Sequence, residues 1–265
     1  MQLNILAIGD IVGQPGRKVL EKKLQSFIKD QNIDFCIANG ENAAGGSGIT
    51  VGIANKLFSY DINVITMGDH VWKRKEIFDS LQSEQRLLRP ANYSPLAHGR
   101  GYVALKTKTD HTVGIINLLG RVFMKPIDCP FRAADMAIEK LSKLTNIIIV
   151  DMHAEATSEK IAMGWYLDGK VSAVVGTHTH VQTADEKILP GGTGYITDLG
   201  MTGPHESILG RRVDCVLKSI VTQVPIRYDI AEKDIHIEGV IITVNRETGK
   251  AENIKRVKIN EDGDS

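Results

Sequence analysis

Five short apolar, β-branched runs along this chain each end, within a few residues, in a carboxylate or an imidazole. Leu3-Asn4-Ile5-Leu6-Ala7-Ile8 leads to Asp10, Phe35-Cys36-Ile37-Ala38 to Glu41, and Val64-Ile65-Thr66-Met67 to His70. Ile147-Ile148-Ile149-Val150 leads to His153, and Val171-Ser172-Ala173-Val174-Val175 to Gly176-Thr177-His178-Thr179-His180. Runs that stay apolar without alternating fit strands buried on both faces of a sheet. The carboxyl ends of such strands are where open α/β sheets bind ligands.

The segments between these runs supply the connections. Pro15 suits a first helical turn, and Leu20, Leu24, Phe27 and Ile28 recur at helical spacing through Asp30, as a crossover helix requires. The pattern predicts strands over 33–38 and 62–67 with a helix over 50–60 begun by Thr50, then an antiparallel pair over 101–105 and 112–117. A helix over 131–144 leads to a strand over 146–150, and one over 157–167 to a strand over 171–175. A short strand over 195–199, a last helix over 206–222, and a hairpin of 234–244 and 251–259 with a solvated end at 260–265 complete the order. Two mixed sheets packed face to face with helices outside accommodate it: a four-layer α/β/β/α sandwich, expected as a single domain over 1–265.

Composition narrows the function. Lys+Arg and Asp+Glu are both 32, so no overall charge draws the chain to nucleic acid or membrane, and any attraction for phosphate is local. The N-terminus lacks a basic region before its apolar run, and no apolar stretch approaches the ~20 residues of a membrane span, so a cytoplasmic protein is expected. Cys36, Cys129 and Cys215 are odd in number and lie away from the His and carboxylate motifs, which suits thiols in a reducing compartment.

Taken singly, the strand-end residues have ordinary explanations. Asp10 suits a helix cap, Glu41-Asn42 a polar loop, and His70 or His153 a hydrogen-bonded core histidine. Their joint placement points instead to metal chemistry. His178 and His180, one residue apart, would project to the same side of an extended backbone, and Asp, Glu, Asn and His together suit borderline metals. One carboxylate can bridge two metals ~3.5–4 Å apart that activate a nucleophile and neutralise a phosphate, which makes a binuclear hydrolase the sharpest expectation. The glycine-rich stretch Asn39 to Gly48 lacks the end of a Walker loop and the spacing of a dinucleotide site; its glycines fit close turns around a metal. Arg17-Lys18, Lys73-Arg74-Lys75 and Arg211-Arg212 read as solvated helix faces without interleaved aromatics, so nucleic-acid binding is not indicated. His98, His111, His205 and His236 read as surface or structural residues.

Longer blocks carry a resemblance. Gly9-Asp10-Ile11-Val12-Gly13, Asn39 to Gly46, Gly68-Asp69-His70-Val71-Trp72, Asp151 to Lys160, Gly176 to Asp185 and Gly194 to Pro204 resemble, in order over nearly the whole chain, the bacterial YmdB-like phosphodiesterases of the calcineurin-like metallophosphoesterase superfamily. The resemblance implies the four-layer sandwich, two metal ions, usually iron or manganese, and hydrolysis of 2′,3′-cyclic nucleotides to 3′-nucleotides by a metal-bound hydroxide. By motif, Asp10, Glu41, Asn42 and His180 would hold the first metal, and Glu41, Asp69, His153 and His178 the second, with Glu41 bridging. His70 would protonate the leaving 2′-oxygen.

One residue departs from the pattern: the family has Asn where this chain has Asp69. A carboxylate there adds one negative charge, which should tighten metal binding, repel an anionic phosphodiester and make the bound water less acidic. The implied partner is a small-molecule cyclic nucleotide, and a homo-oligomer is left open. Rival readings are a phosphomonoesterase or nucleotidase of the same fold, and a regulatory scaffold that retains a metal site.

Overall fold

A computed structural model describes residues 2–261. After β1 (Gln2–Ile8) and β2 (Asp10–Ile11), α1 (Gly13–Asp30) crosses to β3 (Phe35–Asn39), and α2 (Val51–Phe58) to β4 (Val64–Thr66). α3 (Ile77–Ser83) leads to β5 (Leu87–Leu88), followed by β6 (Tyr102–Lys106) and β7 (Thr112–Leu119). The alternation continues through α4 (Pro130–Leu141), β8 (Ile148–His153), α5 (Thr157–Tyr166) and β9 (Ala173–Thr177). Then come β10 (Lys187–Ile188), β11 (Gly194–Ile196), β12 (Met201–Pro204), α6 (Val213–Thr222), β13 (Ile235–Asn245) and β14 (Ala251–Asn260).

The strands form two mixed sheets. The first has the order β2-β12-β13-β1-β3-β4-β5, with β14 also paired to β13; the second runs β10-β11-β9-β8-β7-β6. β1, β3, β4 and β5 are parallel, as are β7, β8, β9 and β11, so each sheet gathers several carboxyl ends at one edge.

Three apolar clusters explain why the strand sequences are apolar throughout. Leu3, Ile5 and Ala7 of β1 pack with Ile115, Ile149 and Val175 of the second sheet, while Leu6 and Ile8 pack with Val19, Leu20 and Leu24 of α1. On the far side, Ile116, Ile148, Val150 and Val174 meet Ala134, Ala137 and Leu141 of α4 and Met163 of α5. Successive residues of a strand point to opposite faces, so both faces must be apolar when both are covered. Each such Leu or Ile, fully buried, contributes about 1.5–3 kcal/mol. The result is the α/β/β/α sandwich.

The strand expected over 195–199 is shorter: β11 ends at Ile196 in the second sheet, and the next strand, β12 from Met201, lies in the first. Thr197 and Asp198 leave the ladder to bond Asp185 and Lys160, and Gly200, at φ +82°, turns the chain between the sheets. The last helix starts at Val213 rather than 206, because Leu209 (φ 52°) and Gly210 (φ 86°) occupy the left-handed region. The solvated end expected over 260–265 lies mostly outside the described residues.

Candidate metal centre

All eight candidate residues meet at the shared carboxyl edge. His153 Nε2 lies 3.2 Å from Glu41 Oε2 and 3.8 Å from Asp69 Oδ1, and 3.0 Å from His178 Nδ1. One ligand atom from each of Glu41, Asp69, His153 and His178 falls within 4.8 Å of the others. On the other side of Glu41, His180 Nε2 is 3.7 Å from Asp10 Oδ1 and 3.1 Å from Asn42 Nδ2. His70 Nδ1 is 2.9 Å from Asn42 Oδ1 and 3.2 Å from Glu41 Oε1. The side chains of Asp10, Glu41 and His153 are 0–1% exposed, whereas those of Asp69, His70 and His178 are 22–29% exposed, so the cluster is approached from the latter three.

The two imidazoles of the His-x-His run do not sit on an extended strand. β9 ends at Thr177, and His178 (φ 100°) and His180 (φ 62°) both take left-handed backbone. The resulting turn sends His178 to Glu41, Asp69 and His153, and His180 to Asp10 and Asn42. Such backbone costs of order 1–3 kcal/mol per residue, and it persists only where surroundings enforce it. Here the Asp10 carboxylate accepts from His178 N–H at 3.0 Å, and the Asp198 carboxylate accepts from Thr179 N–H at 3.1 Å and its hydroxyl at 2.7 Å. Asp198 is itself paired with Lys160 at 2.6 Å, both fully buried.

Residues around the cluster fix which nitrogen faces inward. Thr177 Oγ1 lies 2.9 Å from His153 Nδ1 and donates to Asp151 at 2.7 Å, so Nε2 of His153 is turned to the carboxylates. Asp151 also takes Thr66 and Asn39 as donors, and burial raises its pKa. Glu155 holds His178 Nε2 at 3.1 Å, leaving Nδ1 for the cluster. Asp151, Glu155, Lys160 and Asp198 have no role in the sequence pattern read above. The Lys160 signal was its spacing with Met163, Gly164 and Leu167, which places a lysine on the apolar side of α5.

Close approach governs the glycines. A Cβ at Gly68 would lie 2.1 Å from Glu41 Oε2 and 2.2 Å from the His153 ring. In the loop after β3, Gly45, Gly46 and Gly48 have positive φ, and the loop's carbonyls accept from Arg17, Arg74 and Arg211. These arginines therefore differ from the expected solvated helix faces: they clamp the loop that carries Glu41 and Asn42. Of the histidines set aside, His236 is buried and stacks on His205 with centroids 4.3 Å apart.

The electrostatics ask for cations. Burial raises the Glu41 carboxyl, but His153 and His70 overcome this and hold it well below the usual carboxylate range. Burial is likewise outweighed at Asp10 by His180 and His153, and at Asp69 chiefly by His153. His153, which burial alone would lower, is lifted well above the ordinary imidazole value by Glu41, Asp69 and Asp10. Among the described residues, Asp10 Oδ1 and Asp69 Oδ1 are buried without a hydrogen-bond donor. Buried carboxylate oxygens without donors are costly, and bound metal would satisfy them while displacing the imidazole proton. The residues present fit such an ion.

A four-layer sandwich with this cluster at its strand ends is the architecture of a phosphoesterase enzyme, and the comparisons agree. Residues 6–257 match the family described as YmdB-like protein, and the chain belongs to that family. It is 46% identical to the 2′,3′-cyclic-nucleotide 2′-phosphodiesterase of Bacillus subtilis over 98% of both chains. It is also 32% identical to the putative phosphatase/phosphodiesterase MG246 of Mycoplasma genitalium, over 97% of this chain and 93% of that one. Among solved structures, a novel phosphatase from Mycoplasma pneumoniae superposes with TM-score 0.91 at 30% identity, over 98% of this chain and 94% of that chain. A hypothetical protein from Thermus thermophilus superposes with TM-score 0.89 at 36% identity, over 97% and 99% of the two chains.

Proposed function

We propose that this chain is a single-domain cytoplasmic phosphodiesterase that opens 2′,3′-cyclic nucleotides to 3′-nucleotides with two iron or manganese ions. The observation that carries the metal part is the pair of orphaned carboxylate oxygens, one on each side of the buried Glu41. The substrate class rests on the 46% identity to a relative named for that reaction. Asp10, Asn42 and His180 would hold one ion, Asp69, His153 and His178 the other, and Glu41 would bridge. Bound there, the pair supplies a nucleophile at neutral pH and neutralises charge on the attacked phosphate. Asn42 Oδ1 faces His70 in the structure, so service as an oxygen ligand requires its amide to turn over.

The protein's own groups then divide the work. His70 is oriented by Asn42 and Glu41 through Nδ1, while its Nε2 lies 4.0 Å from Asp69 Oδ2, on the exposed side of the cluster. From that side it protonates the departing 2′-oxygen, which is a poor leaving group as a bare alkoxide. Thr177 and Glu155 keep His153 and His178 in one tautomer. The three free cysteines suit the cytoplasmic setting. The test is metal analysis of protein purified without added metal, paired with a cyclic-nucleotide assay. Two equivalents of metal per chain, with activity that chelation abolishes, is the expected result; one equivalent, or activity indifferent to chelation, contradicts it.

A further inference from the structure

A cavity of about 710 Å³ opens where the loop after β5 meets the start of β6 and one side of α4. Arg89, Arg100, Arg132 and Lys140 line it, with Asp128 as the one lining carboxylate and the ring of Tyr102. In a chain whose charges balance at 32 and 32, four cations around one cavity are a local concentration that the composition hides. Among the described residues none of the four pairs with a carboxylate within 4.0 Å. Glu84, whose charge Arg100 senses, is taken by Arg86 at 2.6 Å, and Lys140 lies over the Tyr102 ring at 5.7 Å.

Arg89 is the most telling of them. It is only 6% exposed, and it donates to the carbonyls of Pro90 at 2.8 Å, His98 at 3.3 Å and Ser94 at 3.5 Å. Carbonyls orient a guanidinium without neutralising it, so a buried positive charge faces the cavity uncompensated. The first turn of α4 adds to this, since no side chain caps it. Between Arg132 and Lys140 on the same helix, Ala133, Met136 and Ala137 add an apolar stretch to the lining.

We propose that this cavity binds a nucleoside monophosphate. The phosphate lies against Arg89, Arg100 and Arg132, whose planar forks suit it, and the base lies against Tyr102 and Met136. The volume falls within the roughly 300–1,000 Å³ of small-ligand sites. The site is separate from the metal centre yet touches its loop: Tyr93 lines the cavity and packs edge-on to Trp72 with centroids 5.4 Å apart, in the segment that carries Asp69 and His70.

Photolabelling locates the site directly. The metal-loaded full-length protein is irradiated with 8-azidoadenosine 3′-monophosphate, and the modified peptides are mapped. Label is expected on peptides containing Tyr102 or Met136, in addition to any at the metal centre. It should be displaced by adenosine 3′-monophosphate, and far less by adenosine or inorganic phosphate. Arg100 and Arg132 are exposed, so the Arg100→Ala, Arg132→Ala double variant should fold, and it should lose at least about tenfold in labelling of these peptides. Label confined to the metal-centre peptides, or undiminished in that variant, overturns the proposal. Displacement by inorganic phosphate as strong as by the nucleotide overturns it too, by making this a simple anion site. The readout is binding, so its failure leaves the hydrolytic function of the metal centre standing.

Discussion

Two buried charged assemblies share the carboxyl edge, and they are satisfied in opposite ways. Lys160 and Asp198 pair at 2.6 Å, and the same carboxylate accepts from Thr179 N–H, its hydroxyl and Gly200 N–H. Protein groups alone complete that assembly. Around Glu41 and His153 the carboxylates crowd the imidazoles, and Asp10 Oδ1 and Asp69 Oδ1 receive no donor. A closed polar network fixes geometry, whereas an open one is costly until something from outside completes it. The first assembly thus holds the strained turn of His178 and His180, and the second is what that turn serves.

The largest effect should come from opening the closed assembly. Lys160→Met leaves the Asp198 carboxylate buried and alone, with an expected loss of about 3–5 kcal/mol in urea unfolding. Adding Asp198→Leu should recover much of that loss. Asp10→Asn in metal-free protein, which removes a charge from the open assembly, should cost little or even stabilise. Equal losses from Lys160→Met and Asp10→Asn would erase the distinction between the two.

His70→Ala should lower kcat on the order of 10²–10⁴-fold, because a positioned proton donor is worth that much. Metal content should stay intact; loss of a metal equivalent would make His70 a ligand instead. Asp69→Asn should act more gently. The two side chains are nearly isosteric, so coordination is kept while one negative charge leaves the cluster. Metal affinity should fall and cyclic-nucleotide turnover rise, to an extent limited by the 22% exposure of this side chain. Metal titration and kinetics of the two proteins check both directions.

The smallest effect concerns acid, away from either assembly. Burial and the facing His205 lower the pKa of His236, with Lys258 adding to this and Asp234 and Glu238 opposing it. The folded protein then binds that proton less readily than the unfolded chain. Stability from this group is present above the ordinary imidazole pKa, about 6.5, and declines as pH falls below it. His236→Gln should flatten this part of the stability-pH curve, and an unchanged curve would remove His236 from the account.

Much of this was legible in the sequence because burial on both faces leaves continuous apolar strands, and each such strand leads to a residue of the cluster near its end. The closed assembly was not. The helical spacing puts Lys160 on the apolar side of α5 but does not name its partner, and Asp198 lies in a stretch apolar enough to pass for one strand, although the chain changes sheets there. Its partners come from residues distant in sequence, which local pattern cannot show. The same limit hid the arginines that hold the glycine-rich loop, since their acceptors are carbonyls in another segment.

The proposed function commits the open assembly to one particular ester bond of a cyclic nucleotide. The most direct measurement is chromatographic product analysis of metal-loaded protein with adenosine 2′,3′-cyclic monophosphate, alongside the 2′- and 3′-monophosphates as separate substrates. Adenosine 3′-monophosphate is the expected product, with slow or no attack on either monoester. Release of the 2′-monophosphate, or faster hydrolysis of the monoesters than of the cyclic diester, would contradict it.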